Sequence, residues 1–379
     1  MSEKPDRKAT IAEVAKLAGV STATAGRVLG GYGYSSEAIR DKVRHSADQL
    51  GYRPNLLARG LITGKTKTIG IVAGDIQSPF YSSVIRGIAD ATRLEGFGVL
   101  LTNSDENLER EVEAVQLLLE KQVDGLILAP CDTERSDHLQ RALKGGCPIV
   151  QIDRTVEGLD AGSVTTDNRR GSRAAVARLI AAGHRRIAIL AELERWGTGD
   201  LESFVRQVTE GTVEPHGLFP SWQRLFGYIE AHTDAGMTID RSLIGRVGTY
   251  SADRAMKQTV KLLSGPGWAT ALFTADGLMT AGALDAIRSL NIRIPDDVSM
   301  VGFDDLDWMR FLQPAITAVA QPLTAIGEAA ARMMLKALGD GKHPQHHIVL
   351  QPSLMMRDSI AGPKARPRTF NASPAPARR

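Results

Sequence analysis

Apolar residues near the amino terminus recur at helical spacing, and beyond residue 65 they change to short unbroken runs. Ile11, Val14, Ala15 and Ala18 share one face of a helix, and Gly19 can take the left-handed turn that ends it. Ser21 offers an oxygen to cap a second helix over residues 22–30, in which Val20, Ala25 and Val28 turn toward a core. Two short helices joined through a glycine turn form a helix-turn-helix. A third helix is predicted from Ser36, the expected N-cap, through Ile39, Val43, Ala47 and Leu50 to a stop at Gly51. Next, Pro54 can start a short helix over residues 53–61, with Gly60 inside it and Gly64 after it. So short a segment is marginal alone and is expected to form only with a partner.

The later runs predict strand then helix, repeated. Strands at 68–73, 98–102, 124–129 and 148–152 alternate with helices at 82–95 and 108–121. The series restarts with strands at 185–191, near Arg246, at 269–274 and at 298–303. Unalternated apolar strands joined by helices mean α/β lobes with doubly wound parallel sheets. Crossings near 160–171 and 303–321 assign residues 67–162 and 305–321 to an N-lobe, and 163–304 and 322–362 to a C-lobe. The pair has the architecture of a periplasmic binding protein, with a cleft at the carboxyl ends of the strands.

Those strand ends carry the candidate chemistry. They offer residues 75–81 with Phe80 and Tyr81, residues 129–132, Asp153 with Arg154, residues 165–168, residues 224–228 led by Arg224, Asp276, and residues 303–308 with Asp304. Carboxylates and arginines beside aromatic rings suit a polyhydroxylated ligand, because the charged groups bond hydroxyls while the rings stack on sugar faces. Asp153 and Asp304 could instead cap helices or pair with arginines, and Phe80 could be core. In the head, Thr22, Ala23, Thr24 and Arg27 are small or long enough to meet base edges and phosphates. The alternative there is a three-helix bundle that binds nothing.

Charge supports a DNA-reading head. Residues 1–64 carry 10 Lys and Arg against 6 Asp and Glu, residues 65–362 carry 31 against 37, and residues 363–379 carry 5 against 0. Positive charge at the ends can neutralise phosphate, although a basic, Pro-rich tail at 363–379 is expected to be disordered, like residues 1–9. Cys131 and Cys147 give neither a disulfide framework nor metal spacing. With neither a signal peptide nor a membrane-length apolar run, a cytoplasmic protein is expected.

The order of these motifs resembles the lactose/galactose-repressor family of bacterial transcription factors, from about Thr10 to Ser359. The resemblance implies a head over residues 10–52, a hinge over 53–66 and an effector-binding, dimerising core over 67–362. It implies a homodimer on palindromic double-stranded operator DNA, with paired hinge helices in the minor groove and Leu61 as the wedge between base steps. Thr10, Ser21, Thr22, Ala23, Thr24, Gly26, Arg27, Tyr34, Ser36, Asn55, Ala58, Arg59 and Leu61 are then the expected DNA-binding positions. Phe80, Tyr81, Asp153, Arg154, Arg224, Asp276 and Asp304 are the expected effector positions, Arg224 as a bidentate anchor. The effector is expected to be a sugar, polyol or sugar acid.

The chain departs from the family pattern in four places. Asp276 and Gly277 stand where the family usually has Asn and Asp, Ala129 where some members are polar, Ile62 where a polar or basic residue is frequent, and Gly26 where recognition helices generally have Ser. About thirty residues after Ala191 replace a short connection. Within them Asp200 can cap a helix with an apolar stripe of Leu201, Phe204, Val205 and Val208, closed by Gly211 and flanked by Trp196, Phe219 and Trp222. This helix is expected either to cover the cleft mouth or to patch the outside of the C-lobe or a dimer surface.

Catalysis finds little support. The chain has no GxSxG elbow and no P-loop, and residues 30–33 form a turn without a preceding strand. His343, His346 and His347 read as a solvated loop rather than a metal site, and no cofactor is expected. A solute-binding module or a sugar-processing enzyme without a DNA role remain the alternatives from other classes.

Overall fold

The computed structural model describes residues 9–31, 33–53, 65–193, 200–215, 217–264 and 267–364. The chain divides into two units, residues 1–68 with 122–124, and residues 69–121 with 125–379. The hinge positions Asn55, Ala58, Arg59, Leu61 and Ile62, and Trp196 of the extra segment, lie outside the described residues.

The first unit holds three helices, α1 (Ile11–Ala18), α2 (Thr22–Gly30) and α3 (Glu37–Gln49). Thr10 and Glu13 close α1 with a reciprocal capping box, and Gly19 ends it at φ 64°, where a side chain would be strained. Ser21 caps α2 by accepting from the Thr24 amide at 3.1 Å. Ser36 occupies the N-cap of α3 without a side-chain capping bond. Val14, Ala15 and Ala18 meet Ala25 and Val28 of α2 and Val43 and Ala47 of α3 in one small core, with Val20 and Ile39 half-buried against it.

The second unit contains two six-stranded sheets. Its first half runs β1 (Thr68–Ala73), α4 (Pro79–Leu94), β2 (Gly98–Asn103), α5 (Leu108–Glu120), β3 (Gly125–Leu128), α6 (Asp137–Lys144), β4 (Ile149–Ile152) and β5 (Gly162–Thr166). Next come α7 (Asn168–Ala181), β6 (Ile187–Ala191), α8 (Leu201–Glu210), α9 (Pro220–Asp234), β7 (Ile244–Arg246), α10 (Ala252–Leu263), β8 (Ala271–Thr274), α11 (Gly277–Ser289) and β9 (Ser299–Phe303). The chain ends with β10 (Thr317–Ala320), α12 (Leu323–Asp340), β11 (His347–Leu350) and β12 (Ser353–Met355). The N-lobe sheet has the order β11-β5-β4-β3-β1-β2 and the C-lobe sheet β12-β10-β9-β8-β6-β7, so the two share one winding pattern.

Burial on both faces explains the unalternated strands. Ile187, Ile189 and Ala191 of β6 face a cluster that includes α7 and α9, whereas Ala188 and Leu190 face one built with α10 and α11. A strand sandwiched by helices has no solvent side for polar residues.

The expected lobe boundaries need correction. β5 belongs to the N-lobe sheet, and β10 pairs in parallel with β9 of the C-lobe, Thr317 opposite Val301. Ile326, Ala330 and Met334 of α12 instead join the N-lobe core, and β11 pairs with β5. The chain therefore crosses between lobes after β5, after β10 and after β11. α12 is fitted to the N-lobe by shape: a Cβ on its Gly327 would collide with the Val84 carbonyl of α4, and one on Gly87 with the Thr324 carbonyl. Apolar periodicity shows that a segment is buried, not against which sheet.

The extra segment forms α8, capped by Asp200 and ended by Gly211 in the left-handed region. Phe204 is fully buried in the C-lobe core, 4.8 Å from the Trp222 ring and 6.4 Å from Phe226 of α9. Burying Phe204, Val205 and Val208 is worth roughly 1.5–3 kcal/mol each. The helix is an added piece of the C-lobe core, which favours the patch over the lid.

Candidate ligand cleft and nucleic-acid face

On the head, α2 turns Ala25 and Val28 inward and leaves Thr22, Ala23 and Arg27 exposed, with Thr24 and Gly26 half-buried. Tyr34, 90% exposed, and Ser36 lie in the approach to α3. Thr10 and Ser21 sit at helix N-termini and spend their oxygens on capping. Exposed hydroxyl, small and guanidinium side chains on the first turns of a second helix are what a major-groove reader presents.

In the core, the strand ends of both lobes supply buried polar groups. After β4, Arg154 donates to Glu106 through Nη1 at 2.6 Å and Nη2 at 2.8 Å, to the Tyr81 hydroxyl at 3.0 Å and, through Nε, to Asp153 at 3.1 Å. Arg154 is only 3% exposed, so its charge is balanced within the N-lobe. Tyr81 in turn donates to Glu106 at 3.0 Å. Gly74, at the end of β1, makes room for this pair, because a Cβ there would press on both Glu106 and Tyr81. Phe80 stands edge-on to Tyr81, ring centroids 5.0 Å apart. Burial holds the Tyr81 hydroxyl well above its ordinary range, so it remains a donor.

Across from it, Arg224 of α9 donates from Nε to Asn168 at 2.8 Å and from Nη1 to the Ala275 carbonyl, with its guanidinium 3.9 Å over the Phe303 ring. Among the described residues Nη2 makes no hydrogen bond and Nη1 makes one, so three of the five N–H donors of the guanidinium stay open toward the cleft, as the expected bidentate anchor requires. Asp276 caps α11 by accepting from the Met279 amide at 2.9 Å, and Asp304 accepts from the Gln321 amide at 2.6 Å. Asp153 and Asp304, which follow corresponding strands of the two lobes, both adopt positive φ, 68° and 70°. Such strain in a non-glycine residue is a mark of functional sites.

The lobes also meet directly. The Arg154 guanidinium lies 4.5 Å from the ring centroid of Phe219, the N-cap residue of α9. Tyr250, at the end of the β7 connection, feels the charges of Arg154, Glu106, Glu192 and Asp276, and its hydroxyl is pushed up by burial. Glu106, Asn168, Phe219 and Tyr250 were not among the expected effector positions. Glu106 follows β2, so the strand-end rule applied to every strand finds it; Phe219 carries no comparable signal.

Asp276 is buried, and that burial, reinforced by Asp304, pushes its carboxyl up to about 6. Since the folded value lies above the ordinary 3.8, the ionised form detracts from stability at neutral pH, and the penalty disappears as pH falls from about 6 toward 4. Asp276→Asn keeps an N-cap oxygen and should stabilise the protein at pH 7.5 by roughly 1–3 kcal/mol. Urea unfolding checks this: the gain should be lost near pH 4, and a variant less stable than the parent at pH 7.5 would show that the charge is wanted for folding.

Comparison with known proteins decides what this arrangement belongs to. Residues 10–55 match the profile of bacterial regulatory proteins of the lacI family, 66–201 that of periplasmic binding proteins and sugar-binding domains of the LacI family, and 176–360 a periplasmic binding protein-like domain. The catabolite control protein A of Priestia megaterium is 31% identical over 327 residues, 86% of this chain and 92% of that protein. The chain belongs to the lacI family. Among solved structures, the lac repressor dimer bound to operator and the anti-inducer ONPF is similar with a TM-score of 0.77 at 25% identity, covering 94% of this chain and all of that one. The transcriptional regulator CelR in complex with cellobiose has a TM-score of 0.66 at 29% identity, covering 93% of this chain and all of that one. As a lacI-family member the chain is a transcriptional regulator and not an enzyme. No helix among the described residues is long and apolar enough to cross a membrane.

Proposed function

We propose that this lacI-family regulator is a homodimeric, effector-gated repressor of genes for uptake or breakdown of a sugar or related carbon source, acting in the cytoplasm on a palindromic operator. The observation that carries the DNA role is α2, which buries Ala25 and Val28 and leaves Thr22, Ala23 and Arg27 outward. Thr10, Ser21, Thr24, Gly26, Tyr34 and Ser36 complete the proposed DNA face. Asn55, Ala58, Arg59 and the wedge Leu61 belong to the proposed hinge. One head reads one half-site, so a two-fold dimer is the expected reader.

The proposed effector site is the cleft of Phe80, Tyr81, Asp153, Arg154, Arg224, Asp276 and Asp304, extended by Glu106 and Tyr250. An effector switches the protein only by preferring one lobe arrangement over another. The Arg154–Phe219 contact is the cross-lobe element that such a preference would bias. Phe219→Ala should shift effector affinity by about threefold or more and leave effector-free operator binding unchanged, as calorimetry and a gel shift would show together. Unchanged effector affinity would remove Phe219 from the switch.

The test of the whole reading is binding to the intergenic DNA upstream of the gene. Leu61→Ala should weaken palindromic operator binding at least about tenfold and leave nonspecific binding nearly intact, because it removes the kink and keeps the charges. Equal losses on both DNAs would sink the wedge. A protein that binds no upstream DNA in any effector condition would return the reading to a solute-binding module.

A further inference from the structure

The chain enters β1 through residues 65–67, so whatever passes along the backbone between head and lobes passes there. One carboxylate grips that entry. Asp124, half-buried just ahead of β3, accepts from the Thr66 amide through Oδ1 at 2.8 Å and from the Lys67 amide through Oδ2 at 2.8 Å. The Thr66 hydroxyl, with one proton to give, lies 3.0 Å from the same Oδ1 and 2.8 Å from the Gln122 carbonyl. In return the Asp124 amide donates to the Thr68 carbonyl at 2.7 Å. Bonds from two successive amides to an ionised carboxylate are stronger and more directional than bonds between neutral groups.

Two observations separate this clamp from the ordinary stitching of a sheet. β1 and β3 already pair in parallel from Ile69 opposite Gly125 to Val72 opposite Leu128, and Thr66 and Lys67 lie ahead of that ladder, so the sheet does not require them to be held. Lys67 and Gln122, one on each side of the clamp, both adopt positive φ, 50° and 56°. Non-glycine residues keep that conformation only where their surroundings over-determine it. Gln122 closely follows the end of α5, so the clamp joins a helix of the N-lobe to the start of the run toward the hinge. Residues 122–124 accordingly group with residues 1–68 and not with the strand they lead into.

Resting on the operator-binding reading above, we infer that Asp124 is a positioning residue for DNA recognition: its carboxylate fixes the lobe end of the hinge and carries changes at the DNA-reading end into α5 and β3. A tethered end leaves less chain to order when operator is bound, and losing the tether restores that entropic cost. The same grip turns a rearrangement of the N-lobe into a displacement of residues 66 and 67, which a slack connection would absorb. Coupling of this kind acts in both directions. Nonspecific binding, which rests on phosphate charge, does not depend on it.

Gel shifts and hydrogen exchange on the full-length protein test it, with the upstream intergenic DNA and sheared genomic DNA as the two probes. Asp124→Ala removes both carboxylate oxygens and should weaken binding to the upstream DNA by about tenfold or more. Asp124→Asn keeps one oxygen and should weaken it by about threefold, and both variants should bind sheared DNA within about twofold of the parent. Ile71→Val trims a fully buried side chain of β1 without touching the clamp, and should bind both DNAs as the parent does. In the parent, the upstream DNA should slow exchange in the head and at residues 121–128. At saturating DNA, Asp124→Ala should keep the first protection and lose the second. Parent-like affinity in Asp124→Ala, or unchanged protection at residues 121–128, would overturn the inference. An equal loss of affinity in Ile71→Val would also overturn it, by reducing the clamp to sheet stability. A parent that binds the upstream DNA no better than sheared DNA would instead remove the operator reading, and this inference with it.

Discussion

Replacing Arg154 by methionine is expected to lower the unfolding free energy at pH 7.5 by about 3–5 kcal/mol, the usual cost of breaking a buried ion pair from one side. Glu106 and Asp153 would be left facing each other with the guanidinium gone; their side chains are 14% and 11% exposed. The loss should shrink on acidification, because the orphaned carboxylates take up protons in the folded state at higher pH than in the unfolded chain, and stability then rises as pH falls. Pairing Arg154→Met with Glu106→Gln should recover most of the loss, since the charge requiring compensation is removed as well. Urea unfolding of the two variants checks both statements. A single variant within about 1 kcal/mol of the parent, or a double variant no better than the single, would contradict this account.

Arg224→Ala should weaken effector binding by at least about a hundredfold, roughly 2.8 kcal/mol, and leave the operator deaf to effector while effector-free operator affinity holds. Part of the loss is structural. The Ala275 carbonyl and the Asn168 side chain lose their donor, and bonds to a charged group contribute about 1.5–3 kcal/mol each. Arg224→Lys separates the two effects: it retains the charge over Phe303 but not the fork, and should stay folded while still binding effector poorly. Calorimetry on the lysine variant is the deciding measurement. Normal effector affinity there would confine Arg224 to holding Asn168 and the Ala275 carbonyl in place.

The head helices, most of the strands and their order were legible along the chain. Thr10 with Glu13, Ser21, Asp200 and the glycines at 19 and 211 mark helix ends through hydrogen bonds and backbone conformations reaching only a few residues, so the chain states them locally. Unbroken apolar runs such as residues 187–191 report burial on two faces, which is enough to specify a doubly wound sheet, and the strand-end rule then singled out Asp153, Asp276 and Asp304 as cleft candidates, whereas Arg224 stands on helix α9. Tertiary structure decided partnership. Glu106 and Arg154 are 48 residues apart, and nothing within either segment states that they meet or that Gly74 clears the space between. The same holds for Arg224, two of whose five N–H donors go to Asn168 and Ala275, and for Phe219, which reaches Arg154 from the other lobe. The sides taken by β10, α12 and α8 were also settled there. Periodicity records how much of a surface is buried, whereas shape, as where Gly327 lets α12 close on the Val84 carbonyl, and the direction of each donor choose what it is buried against.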